Sequence, residues 1–114
     1  NQFDVVKVSF PFIDQNSTKR RPALILTPAK RFNSRIGASI LAMITSRKTP
    51  AVMEWPMDIE IEDIELAGLQ TPSIIRMKLF TLDHRLILGR LGSLNANDKE
   101  QVSRQLVSLF DIHS

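Results

Sequence analysis

The residues whose types and spacing suggest chemistry are an arginine and a pair of hydroxyl side chains. Arg21 directly precedes Pro22. A residue before proline is biased toward an extended backbone, which would direct the guanidinium out of the start of the apolar strand that follows. A second apolar stretch ends in Thr45 and Ser46. If the two stretches form neighbouring strands, these three side chains would converge on one phosphate, because arginine offers planar bidentate donors and hydroxyls add shorter hydrogen bonds.

Such a site would suit an RNA phosphodiester, because RNA carries its own nucleophile in the 2′-hydroxyl. The protein would need only to orient that hydroxyl, stabilise the charge of the phosphorane and assist proton transfer. The alternative is plain surface basicity without catalysis. Spacing alone leaves both interpretations open.

The sequence gives little support for other kinds of reactive site. The chain has no cysteine, its two histidines (His84 and His113) match no zinc-ligand spacing, and its four glycines form no phosphate-binding loop. There is no Gly-x-Ser-x-Gly nucleophile motif. Glu60 and Glu62 would project from one strand face and could hold a hard cation, but an exposed acidic edge strand is the preferred interpretation. We therefore expect no metal and no cofactor.

Short strands and one terminal helix are expected to position these residues. Alternating polarity and apolar runs predict strands over 3–12, 22–27, 38–45, 52–61, 73–78 and 87–91. An N-cap signal at 94–98 and an apolar stripe at helical spacing predict an amphipathic C-terminal helix, its stripe formed by Val102, Leu106, Leu109 and Phe110. The fold class is therefore α+β, mainly β, with a small antiparallel sheet that closes into a barrel.

Length and charge set further bounds. The chain has 114 residues, no cysteine and a formal net charge of +3, which suggests a single domain over 1–114 in a reducing cytoplasm. No apolar run approaches the about 20 residues of a membrane helix. Residues 15–53 contain no acid, and residues 54–65 contain no base. Either two oppositely charged faces attract each other, or the basic third binds a polyanion.

Four short motifs occur in order along the chain: FDVVKVSFPF, RPALILTP, ITSR and SIIRMKLFTLD. Together they resemble the MazF/PemK (Kid-like) toxins of type II toxin–antitoxin systems, from about residue 3 to residue 92, and the C-terminal helix agrees in kind. The resemblance implies an SH3-like MazF/CcdB-like toxin fold. It also implies a homodimeric, metal-independent endoribonuclease that cuts single-stranded mRNA at short sequences by 2′-hydroxyl attack and so stops translation.

The resemblance further implies partners and site residues. A cognate antitoxin would lay a disordered, often acidic segment across the RNA groove, and the toxin–antitoxin complex would bind DNA. The family's arginine before proline corresponds to Arg21 and its strand-end threonine to Thr45, with Ser46 beside it as a third catalytic candidate. Residues expected to bind RNA are Lys19, Arg20, Arg47, Lys48, Arg76 and Lys78; Arg20 is expected on the opposite side of the extended chain from Arg21.

Three positions depart from the family pattern. Phe3 stands where a glycine is usual, Lys78 stands where some members have an aspartate proposed as a base, and a loop histidine of some members is missing. We therefore assign Arg21 stabilisation of the phosphorane first and acid–base work second. His84 is a spare candidate for proton transfer, although a turn residue is the preferred interpretation.

Two other functions remain open from the sequence. CcdB-like toxins of the same superfamily poison DNA gyrase and cut nothing; they have no need of the Arg21 and Thr45 pair, so the intact motifs favour the nuclease. The other alternative is an inactive family member that binds nucleic acid or antitoxin.

Overall fold

The computed structural model describes residues 1–10, 19–28, 37–46 and 57–111. These residues form six strands, a short 3₁₀-helix (His84–Leu86) and a C-terminal helix, α1 (Ala96–Phe110). The strands are β1 (Asp4–Phe10), β2 (Lys19–Ile25), β3 (Ala38–Ser46), β4 (Ile59–Glu60), β5 (Ser73–Asp83) and β6 (Ile87–Ser93). The predicted α+β, mainly β class is confirmed. Neither helix in these ranges is long and apolar enough to cross a membrane.

All strand pairs are antiparallel, in the order β4-β5-β3-β2-β1-β6. The two strands that carry the candidate residues, β2 near its start and β3 at its end, are neighbours, as a shared phosphate site requires. The sheet was expected to close into a barrel, and its two edges are connected by a segment instead of by direct strand pairing in the described residues. In the described residues β4 and β6 do not pair with each other, and segment 61–69 bridges the two edges through the amide of Ser93, which donates to the Leu66 carbonyl at 3.0 Å.

Two apolar clusters hold the sheet. The larger one takes in every second residue of the central strands together with helix α1, and includes Leu24, Ile44, Ile75 and Val102. The smaller one takes the alternate residues, including Val8, Ala23 and Leu41. Because β3 contributes to both clusters, its apolar character on both faces is explained.

The helix buries less of its stripe than its periodicity predicted. Asn95 is the N-cap, as expected, and its side chain accepts from the Asp98 amide at 2.8 Å. Val102 is buried and Leu106 packs against the core. However, Leu109 and Phe110 are 37% and 58% exposed. The second half of the stripe is therefore exposed.

The largest differences from the predicted strand boundaries occur in three strands. β2 begins at Lys19, not at Pro22, because its pairing with β1 continues to the Phe10–Lys19 pair. β5 runs on to Asp83, because β3 supplies partners for residues 79–83 beyond a bulge. The strand predicted over 52–61 is reduced to Ile59–Glu60 in its described part; residues 52–56 lie outside the described residues.

The backbone at Phe3 is left-handed, with φ of 68°. Glycine adopts that conformation without steric cost, whereas a bulky side chain rarely does. Main-chain hydrogen bonds fix it: the Phe3 amide donates to Ile25 O at 2.7 Å, and its carbonyl accepts from Leu94 at 3.3 Å. The departure noted in the sequence thus lies at a position where the fold calls for glycine, and Phe3 packs on the larger cluster in return.

Candidate active site

A cleft of about 350 Å³ lies where β2 begins and β3 ends. It brings together all three catalytic candidates, Arg21, Thr45 and Ser46. The register explains why: Ala23 pairs with Met43, so Arg21 and Thr45, each two residues further along, fall opposite one another in an antiparallel pair. The other described residues that line the cleft are Arg20, Pro22, Ile44, Leu69, Gln70, Thr71 and Ser73.

Pro22 marks the point where the cleft opens. Proline has no N–H to donate to a neighbouring strand, and the pairing of β2 with β3 begins only at Ala23. β2 itself continues back to Lys19 along β1. The arginines therefore sit on a strand that is held on one side by β1 and unpaired with β3 on the other.

The hydroxyls of the cleft are connected. Ser46 Oγ lies 3.4 Å from Thr71 Oγ1, and Ser73 Oγ donates to the Thr71 carbonyl at 2.9 Å. Thr45 and Ser46 are half-buried. Sequence reasoning missed Leu69, Gln70 and Thr71, because they fall in a stretch between predicted strands that carries no motif. Only its placement beside β3 makes it part of the site.

The predicted position of Arg20 needs correction. It was expected on the opposite side of the strand from Arg21, but it is exposed and lines the same cleft. β2 is not paired with β3 at this position, because that pairing begins at Ala23. Lys19 is the first residue of this strand. Arg47 and Lys48 lie outside the described residues.

The two basic residues of β5 lie apart from the lining of the cleft. Arg76 pairs with Asp58, Nη2 to Oδ2 at 3.1 Å and Nε to Oδ1 at 3.3 Å, and both side chains are 17% exposed. A carboxylate therefore already offsets its charge. Lys78 is exposed and lies in the bulge of β5, between the Met43–Arg76 and Ala42–Leu79 pairs. Their RNA-binding role stays a prediction.

His84 lies at the other end of β3. Its Nε2 is 2.9 Å from Ser39 Oγ, and it begins the 3₁₀-helix that Asp83 caps. Ser39 is near the start of β3 and Ser46 at its end, so the histidine is remote from the cleft. This favours the turn interpretation over proton transfer; His113 lies outside the described residues.

The acidic segment forms an edge strand and a contact with the helix. Glu60 and Glu62 are exposed, and β4 is the edge of the sheet. Glu62 accepts from Asn95 Nδ2 at 3.0 Å and Asn97 Nδ2 at 2.9 Å, while its amide donates to both oxygens of Asp98. Burial raises the pKa of Asp98. No group of three or more His, Asp or Glu side chains in the described ranges is arranged to hold a metal ion.

The chemistry of the cleft is that of an anion site. Its described lining offers guanidinium, hydroxyl and amide groups and includes no carboxylate or imidazole. Two arginines beside four hydroxyl residues repel a cation and match the oxygens of a phosphodiester. The arrangement can bind a phosphate and stabilise extra negative charge on it.

Comparison with known proteins agrees with this architecture. A sequence model of the PemK-like, MazF-like toxins of type II toxin–antitoxin systems matches residues 1–110. No curated protein sequence matches significantly. Among solved structures, MazE–MazF from Deinococcus radiodurans has 24% identity and a TM-score of 0.76 over 99% of this chain and 97% of that chain. The Mycobacterium tuberculosis toxin MazF-mt6 has 19% identity and a TM-score of 0.74 over 97% and 99%.

A third similar structure is that of an endoribonuclease in complex with its cognate antitoxin from a mycobacterial species. It shares 12% identity and a TM-score of 0.72, over 99% of this chain and 94% of that chain. At such identities the likeness establishes the fold alone.

Proposed function

This chain belongs to the PemK-like, MazF-like toxin family of type II toxin–antitoxin systems, and on that premise we propose that it is a metal-independent endoribonuclease that cleaves single-stranded RNA. The observation that carries the proposal is the meeting of Arg21, Thr45 and Ser46 in one cleft. Membership of this family alone would also be consistent with a protein that does not cleave RNA. A preserved phosphate-binding arrangement is what an active nuclease needs.

In the proposed reaction the 2′-oxygen of the substrate attacks the adjacent phosphorus. The O2′–P bond forms and the P–O5′ bond breaks, which leaves a 2′,3′-cyclic phosphate and a 5′-hydroxyl. The proton of the 2′-hydroxyl is lost and the leaving 5′-oxygen gains one. Arg21 stabilises the phosphorane's negative charge, with Thr45 and Ser46 as hydroxyl donors to its oxygens. A fixed guanidinium needs no reorganisation as that charge develops.

Metal independence is supported by the donors of the cleft. A divalent cation prefers carboxylate oxygens or imidazole nitrogens, and the described lining has neither. The arginines supply the positive charge that a metal ion supplies in other nucleases. Proton transfer falls to Arg21 as a secondary role, because His84 is remote and Lys78 replaces the aspartate that some members carry.

The partners follow from the same proposal. We propose mRNA as the physiological substrate, which would place the protein in the cytoplasm, and a homodimer as the active form. A cognate antitoxin with an acidic segment would occupy the basic cleft. The similar structures that contain MazE with MazF, or a cognate antitoxin, support this partner. An acidic peptide complements a cleft lined by two arginines.

The test is cleavage of a long RNA by purified protein in EDTA, with both ends at each cut identified. We expect cleavage at short defined sequences, with 2′,3′-cyclic phosphate and 5′-hydroxyl ends. An all-DNA strand of the same sequence is the matched control and should stay intact, since it lacks the nucleophile. Loss of activity in EDTA, or equal cleavage of DNA, contradicts the mechanism. Intact RNA under all conditions contradicts the activity.

A further inference from the structure

Segment 61–72 provides a second wall of the cleft, apart from the strands that carry the arginines. Leu69, Gln70 and Thr71 line the cleft together with the ends of β2 and β3. No motif of the sequence covers this wall, and none of these three residues carries a charge, so the wall lacks the guanidinium groups that dominate the arginine side of the cleft. A role beyond holding phosphate is therefore open to it.

Main-chain hydrogen bonds hold the wall rigidly. The amides of Ala67, Gly68 and Leu69 donate to the carbonyls of Asp63, Glu65 and Ile64 at 3.2, 3.0 and 2.9 Å. At the near end, Thr71 is tied to β3 by its 3.4 Å contact with Ser46 and to β5 by the 2.9 Å hydrogen bond from Ser73. A wall fixed at both ends can present a side chain to a ligand without reorganisation.

Close packing against β6 adds to this rigidity. Gly68 has φ of 75°, and a Cβ there would overlap the carbonyl of Leu91. A Cβ on Gly92 would overlap the carbonyl of Leu66. Two backbones thus approach each other closely with a glycine on each side. The wall therefore has no room to shift toward β6.

Gln70 is the group this wall offers to a ligand. It is exposed, and among the described lining residues it is the one side chain that carries a planar donor and acceptor together. A nucleobase presents a donor and an acceptor side by side on its edge, and single-stranded RNA is read through such edges. The half-buried Leu69 beside it gives an apolar surface for a base.

We propose that Gln70 reads one nucleobase next to the scissile phosphate and so helps to determine the cleavage sequence. This inference rests on the proposed ribonuclease function. The arginine side of the cleft holds the phosphate, and the Gln70 amide hydrogen-bonds the edge of the adjoining base. Specificity is thereby separated in space from catalysis.

The experiment compares the wild type with Gln70→Leu, which removes both hydrogen-bonding groups, and Gln70→Glu, which replaces the donor by an acceptor. Each protein digests one long RNA, and the cut sites are aligned to give base preferences by position. Then kcat/KM is measured on short RNAs that differ in one base at the affected position. A matched bidentate contact is worth on the order of tenfold discrimination or more.

We expect Gln70→Leu to lose about tenfold of the discrimination at one position, with preferences elsewhere kept. Gln70→Glu should shift that preference toward bases that present donors. Gln101→Leu and Gln101→Glu are the matched controls, since Gln101 is exposed on helix α1, beside the acidic segment. Thermal unfolding checks that every variant folds.

Unchanged base preferences in both Gln70 variants, in a protein that still cuts RNA, would overturn this inference and leave the proposed function standing. A uniform loss of rate at all sites would overturn it as well, because Gln70 would then act on catalysis or folding. Wild-type protein that cuts no RNA contradicts the proposed function, and the inference falls with it.

Discussion

Arg21 and Arg76 carry the same charge in different surroundings. Arg21 lines the cleft beside two hydroxyl residues, whereas Arg76 is held by Asp58 through two hydrogen bonds. A guanidinium that is already paired with a carboxylate has fewer N–H donors and less uncompensated positive charge to offer to a phosphate. The two residues are therefore expected to differ in function although both were predicted to contact RNA.

Arg21→Ala should lower kcat/KM for RNA cleavage by about 10²–10³, the usual effect of losing one preorganised donor to a developing charge. RNA affinity should fall much less, because other basic residues share the phosphate contacts. Single-turnover cleavage rates and binding titrations separate the two effects. Arg104→Ala, which removes an exposed helix arginine paired with Glu100, is the control and should change neither. A loss of rate that only matches the loss of binding would mean that Arg21 is not catalytic.

Thr45→Val should resemble Arg21→Ala in losing rate while the fold survives. Valine keeps the shape of threonine and removes the hydroxyl that the proposed mechanism uses, and the residue is half-buried at the end of β3. Single-turnover rates and thermal unfolding are the measurements. Wild-type rates in this variant would remove Thr45 from the mechanism and leave Ser46 as the hydroxyl donor.

At the scale of elements, the site depends on how segment 61–72 is attached. Its middle part rests on β6 through Gly68 and Gly92. The other attachment is to helix α1, where the buried Asp98 accepts from the Glu62 amide at 3.0 and 3.3 Å. Strand β4 has only two residues, so these contacts, more than sheet pairing, hold the acidic edge in place.

Gly68→Ala should destabilise the protein by about 1–3 kcal/mol or more, because left-handed backbone strain adds to overlap with the Leu91 carbonyl. Gly89→Ala is the matched control on β6: an added Cβ there meets nothing within 4 Å, so its effect should stay within about 0.5 kcal/mol. Denaturant unfolding of both variants tests this. Equal stability of the two variants would show that the close approach is not needed.

Asp98 should make a pH-dependent contribution to stability. Burial, together with the nearby charges of Glu62 and Asp63, raises its pKa above the ordinary 3.8, although the amides of those two residues lower it in part. The native state then binds this proton more tightly than the unfolded chain. The contribution is fully present below pH 3.8 and is lost as pH rises through the raised pKa.

The measurement is the free energy of unfolding of the wild type minus that of Asp98→Asn, taken at several pH values above and below 3.8. Asparagine does not titrate, so the difference removes the effects of other carboxyl groups. It should fall as pH rises through the raised pKa. A difference that is flat, or that grows with pH, would contradict the assignment.

At the scale of the whole molecule, charge is divided between two regions. The acid-free residues 15–53 include Arg20 and Arg21, which line the cleft, whereas residues 54–65 include six acids and no base. In the described structure the acidic part forms an edge strand and a helix contact. Opposite charges in separate places let the basic cleft attract RNA while the net charge stays small.

RNA affinity should fall steeply with salt, and the slope should identify the basic residues that contact phosphate. Arg20→Ala should flatten the plot of log K against log salt by about one unit, because Arg20 is exposed and lines the cleft. Arg76→Ala should change it less, because Asp58 already neutralises that charge. Equal changes in the two variants would show that Asp58 releases Arg76 when RNA binds.

The proposed homodimer and antitoxin site are tested together. Sedimentation should give a dimer, and a cognate antitoxin peptide should compete with RNA for the cleft. The competition should weaken in Arg21→Ala if the acidic segment uses the same guanidinium. A monomer, or an antitoxin that binds without reducing RNA affinity, would contradict the respective half of this prediction.

Features with a local cause could be predicted from the sequence alone. The succession of short strands along the chain follows from period-2 polarity. The Asn95 N-cap follows from residue type. The neighbouring positions of Arg21 and Thr45 needed only the assumption that the two consecutive strands β2 and β3 pair antiparallel, which these two do. In each case the information lies within a few residues, or in one pairing of adjacent strands.

Only the tertiary structure decided the features that depend on contacts between distant residues. Gln70 and Thr71 reach the cleft because segment 61–72 packs on β6, and nothing in its own sequence indicates that partner. The Arg76–Asp58 pair, the placement of Arg20 in the cleft and the exposed end of helix α1 have the same origin. Residue type determines what a side chain can do, while the packing of remote segments determines what it meets.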